Sequence, residues 1–215
     1  MKKLLVVFAA ILIALIATYT LSASDVPQTA TGIRPLKVSE TIPDVTLRTA
    51  TGEPFNLRQA ILESPTVLIF YRGGWCPYCN RHLGGVQQVE GELRELGFRI
   101  LAISPDRPEK LREMAEKDQL TFQLLSDSSM AASRAFGIAF QADDATVQQY
   151  KEEYQIDIEA DSGETHHQLP VPAVFMVDPD GQIIFSYINP DYKTRLDPEA
   201  LLGTAQMFSY RSKKF

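Results

Sequence analysis

Three observations predict an α/β fold with a central mixed β-sheet flanked by helices. Strand-like and helix-like stretches alternate from residue 42 to the end of the 215-residue chain. The run Thr66-Val67-Leu68-Ile69-Phe70-Tyr71 is apolar without alternation, as in a strand buried on both faces. Short turns at Thr51-Gly52-Glu53 and Asp178-Pro179-Asp180-Gly181 close hairpins, so both strand senses occur in the sheet.

Taken in order, Ile42 to Leu47 alternates and returns through Phe55 and Leu57 as an N-terminal β-hairpin. The buried strand follows, then a helix whose apolar residues recur at Leu83, Val86, Val89, Leu93 and Leu96, with Gly97 as its stop. Phe98 to Ile103 is a second strong strand and completes a βαβ unit. Glu109 to Lys117 has helical spacing, Phe122 to Leu125 reads as a strand and Ser129 to Phe136 as a short helix. From 137 to 169 the chain turns polar, with a helix expected over Asp143 to Gln155 and a loop over Asp161 to His167. So long a connection reads as an insertion, either a lid or a partner surface. Val174 to Val177 and Ile183 to Ile188 form the last hairpin, and Asp197 caps a closing helix that runs to Phe208.

With 45% hydrophobic residues the chain can fill the core of one ordinary domain, expected over residues 39–215. Residues 25–38 read as a linker, rich in small residues and proline. Residues 1–24 read as a signal peptide or membrane anchor: Lys2 and Lys3 precede an apolar run from Leu4 to Ala17. Ser22, Ala23 and Ser24 allow cleavage, whereas an uncut segment 4–21 would tether the protein. The expected location is therefore periplasmic or otherwise extracytoplasmic. A net charge of −6 excludes nucleic acid as a partner.

Both cysteines lie just past the buried strand. Arg72-Gly73-Gly74 breaks that strand, and Pro77 suits the first helical position, which places Cys76 at the N-cap. There the positive end of the helix dipole favours thiolate over thiol, and Arg72 adds to that bias. Cys79, three residues on, can attack a mixed disulfide formed on Cys76. The other readings are a structural disulfide, half a zinc site and two inert thiols. So short a loop stabilises little. His82, His166 and His167 lack the usual ligand spacing, and an exposed helix start is a poor place for inert thiols. The thiol reading needs no cofactor and no metal.

The segment Phe70-Tyr71-Arg72-Gly73-Gly74-Trp75-Cys76-Pro77-Tyr78-Cys79 resembles the signature of peroxiredoxin-like proteins, grouped with the alkyl hydroperoxide reductase and thiol-specific antioxidant family. Asn189-Pro190-Asp191-Tyr192 and Arg195 are similar to that group's C-terminal stretch. The resemblance runs from Ile42 to Leu202 and implies a thioredoxin-like fold, with an insertion before the last hairpin. It implies Cys76 as the attacking and Cys79 as the second cysteine, with Trp75, Pro77 and Tyr78 shaping the surface around them. Pro172 matches the cis-proline that faces the active cysteine in thioredoxins. Typical members carry P-x-x-x-T-x-x-C and an Arg from a later strand. Here those positions hold Ile69, Gly73 and Pro172, with Arg72 a partial substitute.

The resemblance implies a thiol-disulfide oxidoreductase that cycles Cys76 and Cys79 between dithiol and disulfide, and the N-terminal segment makes it an exported one. Its substrate is either a protein disulfide or a hydroperoxide, with a thioredoxin-like donor restoring the thiols. A non-enzymatic anchored binding module is the third reading.

Overall fold

A computed structural model describes residues 26–212, with side chains as far as residue 209. The hairpin is β1 (Thr46–Thr49) and β2 (Pro54–Asn56), and α1 (Leu57–Ile61) leads from it into β3 (Thr66–Phe70). Helix α2 (Pro77–Glu95) joins β3 to β4 (Arg99–Ser104), and α3 (Pro108–Asp118) joins β4 to β5 (Gln123–Ser126). A short α4 (Ala131–Ala135) follows, then β6 (Ala139–Gln141), α5 (Asp144–Glu153), α6 (Ile158–Ser162) and β7 (Gln168–Pro170). Strands β8 (Ala173–Val177) and β9 (Ile183–Ile188) precede α7 (Pro198–Ser212). Asp197 caps α7 by accepting from the backbone N–H of Glu199 and of Ala200.

The main sheet has seven strands in the order β2-β1-β5-β4-β3-β8-β9. β4 is parallel to both β3 and β5, while the other neighbours are antiparallel, so the sheet is mixed as expected. Strand β3 is buried throughout because each face meets a separate apolar cluster. Val67, Ile69 and Tyr71 point into a cluster with Leu83 and Val86 of α2 and Leu201 of α7. Leu68 and Phe70 point the other way, to Leu57 and Ile61 of α1 and Phe136. Each such side chain contributes roughly 1.5–3 kcal/mol on burial, which is why this run lacks polar alternation.

The register sets the site. Phe70, the last residue of β3, lies opposite Ile103 of β4 and Ala173 of β8. The chain leaving β3, the chain leaving β4 and the chain entering β8 therefore meet at one end of the sheet, bringing Arg72, Asp106 and Pro172 together.

Two expectations change here. The insertion holds more structure than one helix and a loop: β6 and β7 pair antiparallel as a two-stranded ribbon, and α6 lies within the stretch read as irregular. Pro172 was expected to be cis, yet among the described residues no peptide bond is cis. At the entry to β8 the Val171 N–H donates to Ile138 O at 2.8 Å and the Pro172 carbonyl accepts from Asn189 N–H at 3.3 Å, and both bonds are made with a trans peptide at Pro172.

The segment 26–38 runs along the domain. The N–H groups of Arg34, Leu36 and Gln141 bond to Gly137 O, Phe136 O and Pro27 O, respectively. Among the described residues no helix is long and apolar enough to cross a membrane. The apolar run 4–21, and with it the signal or anchor, lies outside the described residues.

Candidate active site

The break after β3 is enforced by Gly73. Its φ of +146° lies where side chains are rarely tolerated, and a Cβ there would collide with the Trp75 indole nitrogen and approach Asp106 Oδ1 to 2.9 Å. Asp106 Oδ2 accepts from the Gly74 N–H at 2.8 Å, and Asn80 donates to Gly74 O at 2.8 Å. So braced, the loop delivers Cys76 to the N-cap of α2 with Pro77 at its first position, as the sequence predicts. The Cys76 carbonyl accepts from Cys79 N–H at 3.0 Å and Asn80 N–H at 3.1 Å, while its sulfur makes no cap hydrogen bond.

Both thiols are free and buried, Cys76 at 1% exposure. That corrects the expectation of an exposed helix start: both cysteines belong to the apolar cluster of Val67, Ile69, Leu83 and Val86. Tyr150 of α5 packs on Trp75 with ring centroids 5.7 Å apart, and Tyr192 stands edge-on to Tyr78 at 5.7 Å. The two thiols are shifted in opposite directions. Cys76 is lowered to about 6, first by a hydrogen bond from the Cys79 thiol, with burial opposing, and then by the Cys79 N–H, Arg72 and Arg195. Cys79 is pushed well up, chiefly by its own burial and by donating to Cys76, with Arg195 opposing. Arg195 donates from Nη2 to Cys79 Sγ at 3.2 Å.

Arg72 is 3% exposed, and among the described residues no carboxylate pairs with it. Its guanidinium sits 4.1 Å from the Tyr192 ring centroid, 5.0 Å from Trp75 and 5.4 Å from Tyr150, and donates to the Tyr150 hydroxyl. A cavity of about 200 Å³ opens against it, lined among others by Phe140, Tyr150, Val171, Pro172 and Tyr192. Thus the structure brings Arg72, Trp75, Cys76, Tyr78, Cys79 and Pro172 together, whereas Pro77 faces solvent.

Sequence reasoning missed Tyr150, Asp106 and the contact of Arg195 with Cys79. Asp106 had a signal, since Ser104-Pro105-Asp106 ends a buried strand. Its carboxyl is raised to about 7 by burial, against hydrogen bonds from Gly74 and Ser104.

Residues 38–186 match the AhpC/TSA family model. The chain belongs to the AhpC/TSA family. Over 107 residues, 49% of this chain and 67% of the relative, it is 36% identical to peroxiredoxin Bcp of Escherichia coli K12. Over 88 residues, 40% of this chain and 49% of the relative, it is 30% identical to the thiol-disulfide oxidoreductase ResA of Halalkalibacterium halodurans. The crystal structure of peroxidoxin BcpB from Mycobacterium tuberculosis superposes with a TM-score of 0.62 at 21% identity, covering 82% of this chain and 97% of that one. The fold is thus the thioredoxin-like fold of peroxiredoxins.

Peroxiredoxins are cysteine-based enzymes that take hydroperoxides as substrates and thioredoxin-like proteins as reductants, and this chain is a cysteine-based oxidoreductase. The expected periplasmic or anchored location is corrected. The relatives it matches include Bcp-type peroxiredoxins, and among the described residues no helix is long and apolar enough to cross a membrane.

Proposed function

We propose that this chain is a thiol peroxidase, with Cys76 as the attacking thiolate and Cys79 as the resolving thiol. The observation that carries this reading is the opposite shift of two thiols three residues apart. Cys76 at about 6 is thiolate at neutral pH, and Cys79 keeps its proton until it is needed. The Cys76 thiolate attacks one oxygen of the hydroperoxide, the O–O bond breaks, and the other oxygen leaves as an alkoxide that takes up a proton. Cys76 is then a sulfenic acid. The Cys79 sulfur attacks it, its proton and the sulfenic hydroxyl leave as water, and a Cys76–Cys79 disulfide results. A dithiol donor of the thioredoxin class returns two electrons and two protons. Arg72 supports peroxide binding in place of the later-strand arginine, and the adjoining cavity has room for an organic substituent.

The test is a stopped-flow reaction of the reduced chain with hydrogen peroxide and with tert-butyl hydroperoxide, followed by fluorescence of Trp75, the single tryptophan. A rate constant orders of magnitude above that of a free thiol, ending in the Cys76–Cys79 disulfide, is the expected result. A free-thiol rate rejects the peroxidase. A second reading, exchange with a protein disulfide, is favoured by the Cys-Pro-Tyr-Cys spacing and the match to ResA, and would then stand alone.

A further inference from the structure

Helix α5 reaches the thiol site together with Phe140 of β6, which lines the same cavity, although α5 contributes no buried residue. Its N-terminus is capped by Asp143, and Gln148 and Gln149 bond within the helix to Glu152 and Glu153. What ties it to the site is Tyr150. That side chain packs on Trp75, and its hydroxyl accepts from Arg72 across 78 positions of sequence.

The need for such a contact lies in Arg72. A guanidinium at 3% exposure ordinarily sits in the fixed geometry of a carboxylate. Here aromatic faces surround it instead, and these attract the cation without fixing the direction of its N–H groups. Its Nε is buried without a hydrogen-bond partner. Among the described residues the Tyr150 hydroxyl is the one group that orients its side chain by a hydrogen bond.

We propose that Tyr150 is a positioning residue for the thiol chemistry: delivered by α5, its hydroxyl holds the Arg72 guanidinium in its working direction beside Cys76. The insertion thereby completes the site and is more than a cover. The inference rests on Cys76 being the attacking thiol and is independent of which oxidant it attacks.

The test compares the full chain with Tyr150→Phe, Arg72→Met and the double variant. Two quantities are read in each: the pH midpoint of Cys76 alkylation by iodoacetamide, followed by mass spectrometry, and the rate constant with hydrogen peroxide. The charged groups that act on Cys76 besides Arg72 are Cys79 and Arg195, and both are retained in all four proteins. Tyr150→Phe keeps the ring and is expected to raise the midpoint by about half a pH unit. It is expected to slow the peroxide reaction about tenfold, the scale of one hydrogen bond to a charged group.

In the Arg72→Met background the same substitution should change neither quantity, because Tyr150 acts through Arg72. Equal effects in both backgrounds, or none in either, overturn the proposal. Should Arg72→Met not fold, Arg72→Leu removes the same donors, and the effect of Tyr150→Phe should again vanish. If hydrogen peroxide does not react, the alkylation midpoint still reports on Tyr150, so failure of the peroxidase reading and failure of this one are separate results.

Discussion

The Arg195 guanidinium lies 3.2 Å from the Cys79 sulfur, 116 positions away in sequence, and donates a hydrogen bond to it. It opposes the burial that pushes that thiol up, and among the groups acting on Cys76 it ranks last. Arg195→Met should therefore slow closure of the disulfide about tenfold. Oxidation of Cys76 should change much less. The two phases of Trp75 fluorescence after mixing with peroxide separate the steps. A slowed first phase with an unchanged second would contradict this.

Removing the second thiol should stop the cycle at its midpoint. In Cys79→Ser, one equivalent of peroxide is expected to leave a sulfenic acid on Cys76, trapped by dimedone and seen as a mass shift, with no catalytic turnover by a thioredoxin-like donor. Cys79→Ala, which unlike serine leaves no donor there, removes the largest influence lowering Cys76, so its alkylation midpoint should move up from about 6.

Restoring the family's threonine at position 73 should harm the protein. Gly73→Thr forces a β-branched residue to φ +146° and drives its Cβ into Trp75. Strain of that kind costs on the order of 2–4 kcal/mol. Urea unfolding is expected to show the loss, together with a slower peroxide reaction. A more stable or faster variant would show that the loop relaxes.

Asp106 gives a pH dependence opposite to that of most carboxylates. Its unfolded form titrates near pH 4, and its folded form near 7 because of burial. Between these values the native state holds a proton that the unfolded state has released. Stability should therefore fall as pH rises through this window, by about 1.4 kcal/mol per unit at most. Asp106→Asn can still accept from Gly74 and Ser104 and cannot ionise. Its stability minus that of the parent should rise between pH 4.5 and 7 and level off above. A flat difference would place the Asp106 pKa near its ordinary value.

The elements that were legible in the sequence are those long enough to carry a period. Thr66–Phe70 and Phe98–Ile103 read as strands because their apolar runs exceed what a surface tolerates, and α2 because Leu83, Val86, Val89 and Leu93 keep one face. β6 and β7 have three residues each, too short for alternation, and they pair across the whole insertion. At the site, the tetrapeptide around Cys76 announced itself through local spacing. Tyr150 gave no such signal, since it lies on a helix without an apolar stripe and its partners are Arg72 and Trp75. Burial of Cys76 was hidden because its apolar cluster is assembled from separate elements, among them β3, α2 and α7.

A helix with no buried residue owes little of its order to the core beneath it. Detaching α5 requires breaking the contacts of Tyr150 and the exposed ion pair of Lys151 with Asp157, at a cost far below that of unfolding the sheet. Its amide protons should accordingly exchange with solvent orders of magnitude faster than those of β3. The chain thus joins a scaffold that opens only when the whole domain unfolds to a covering segment that can open alone.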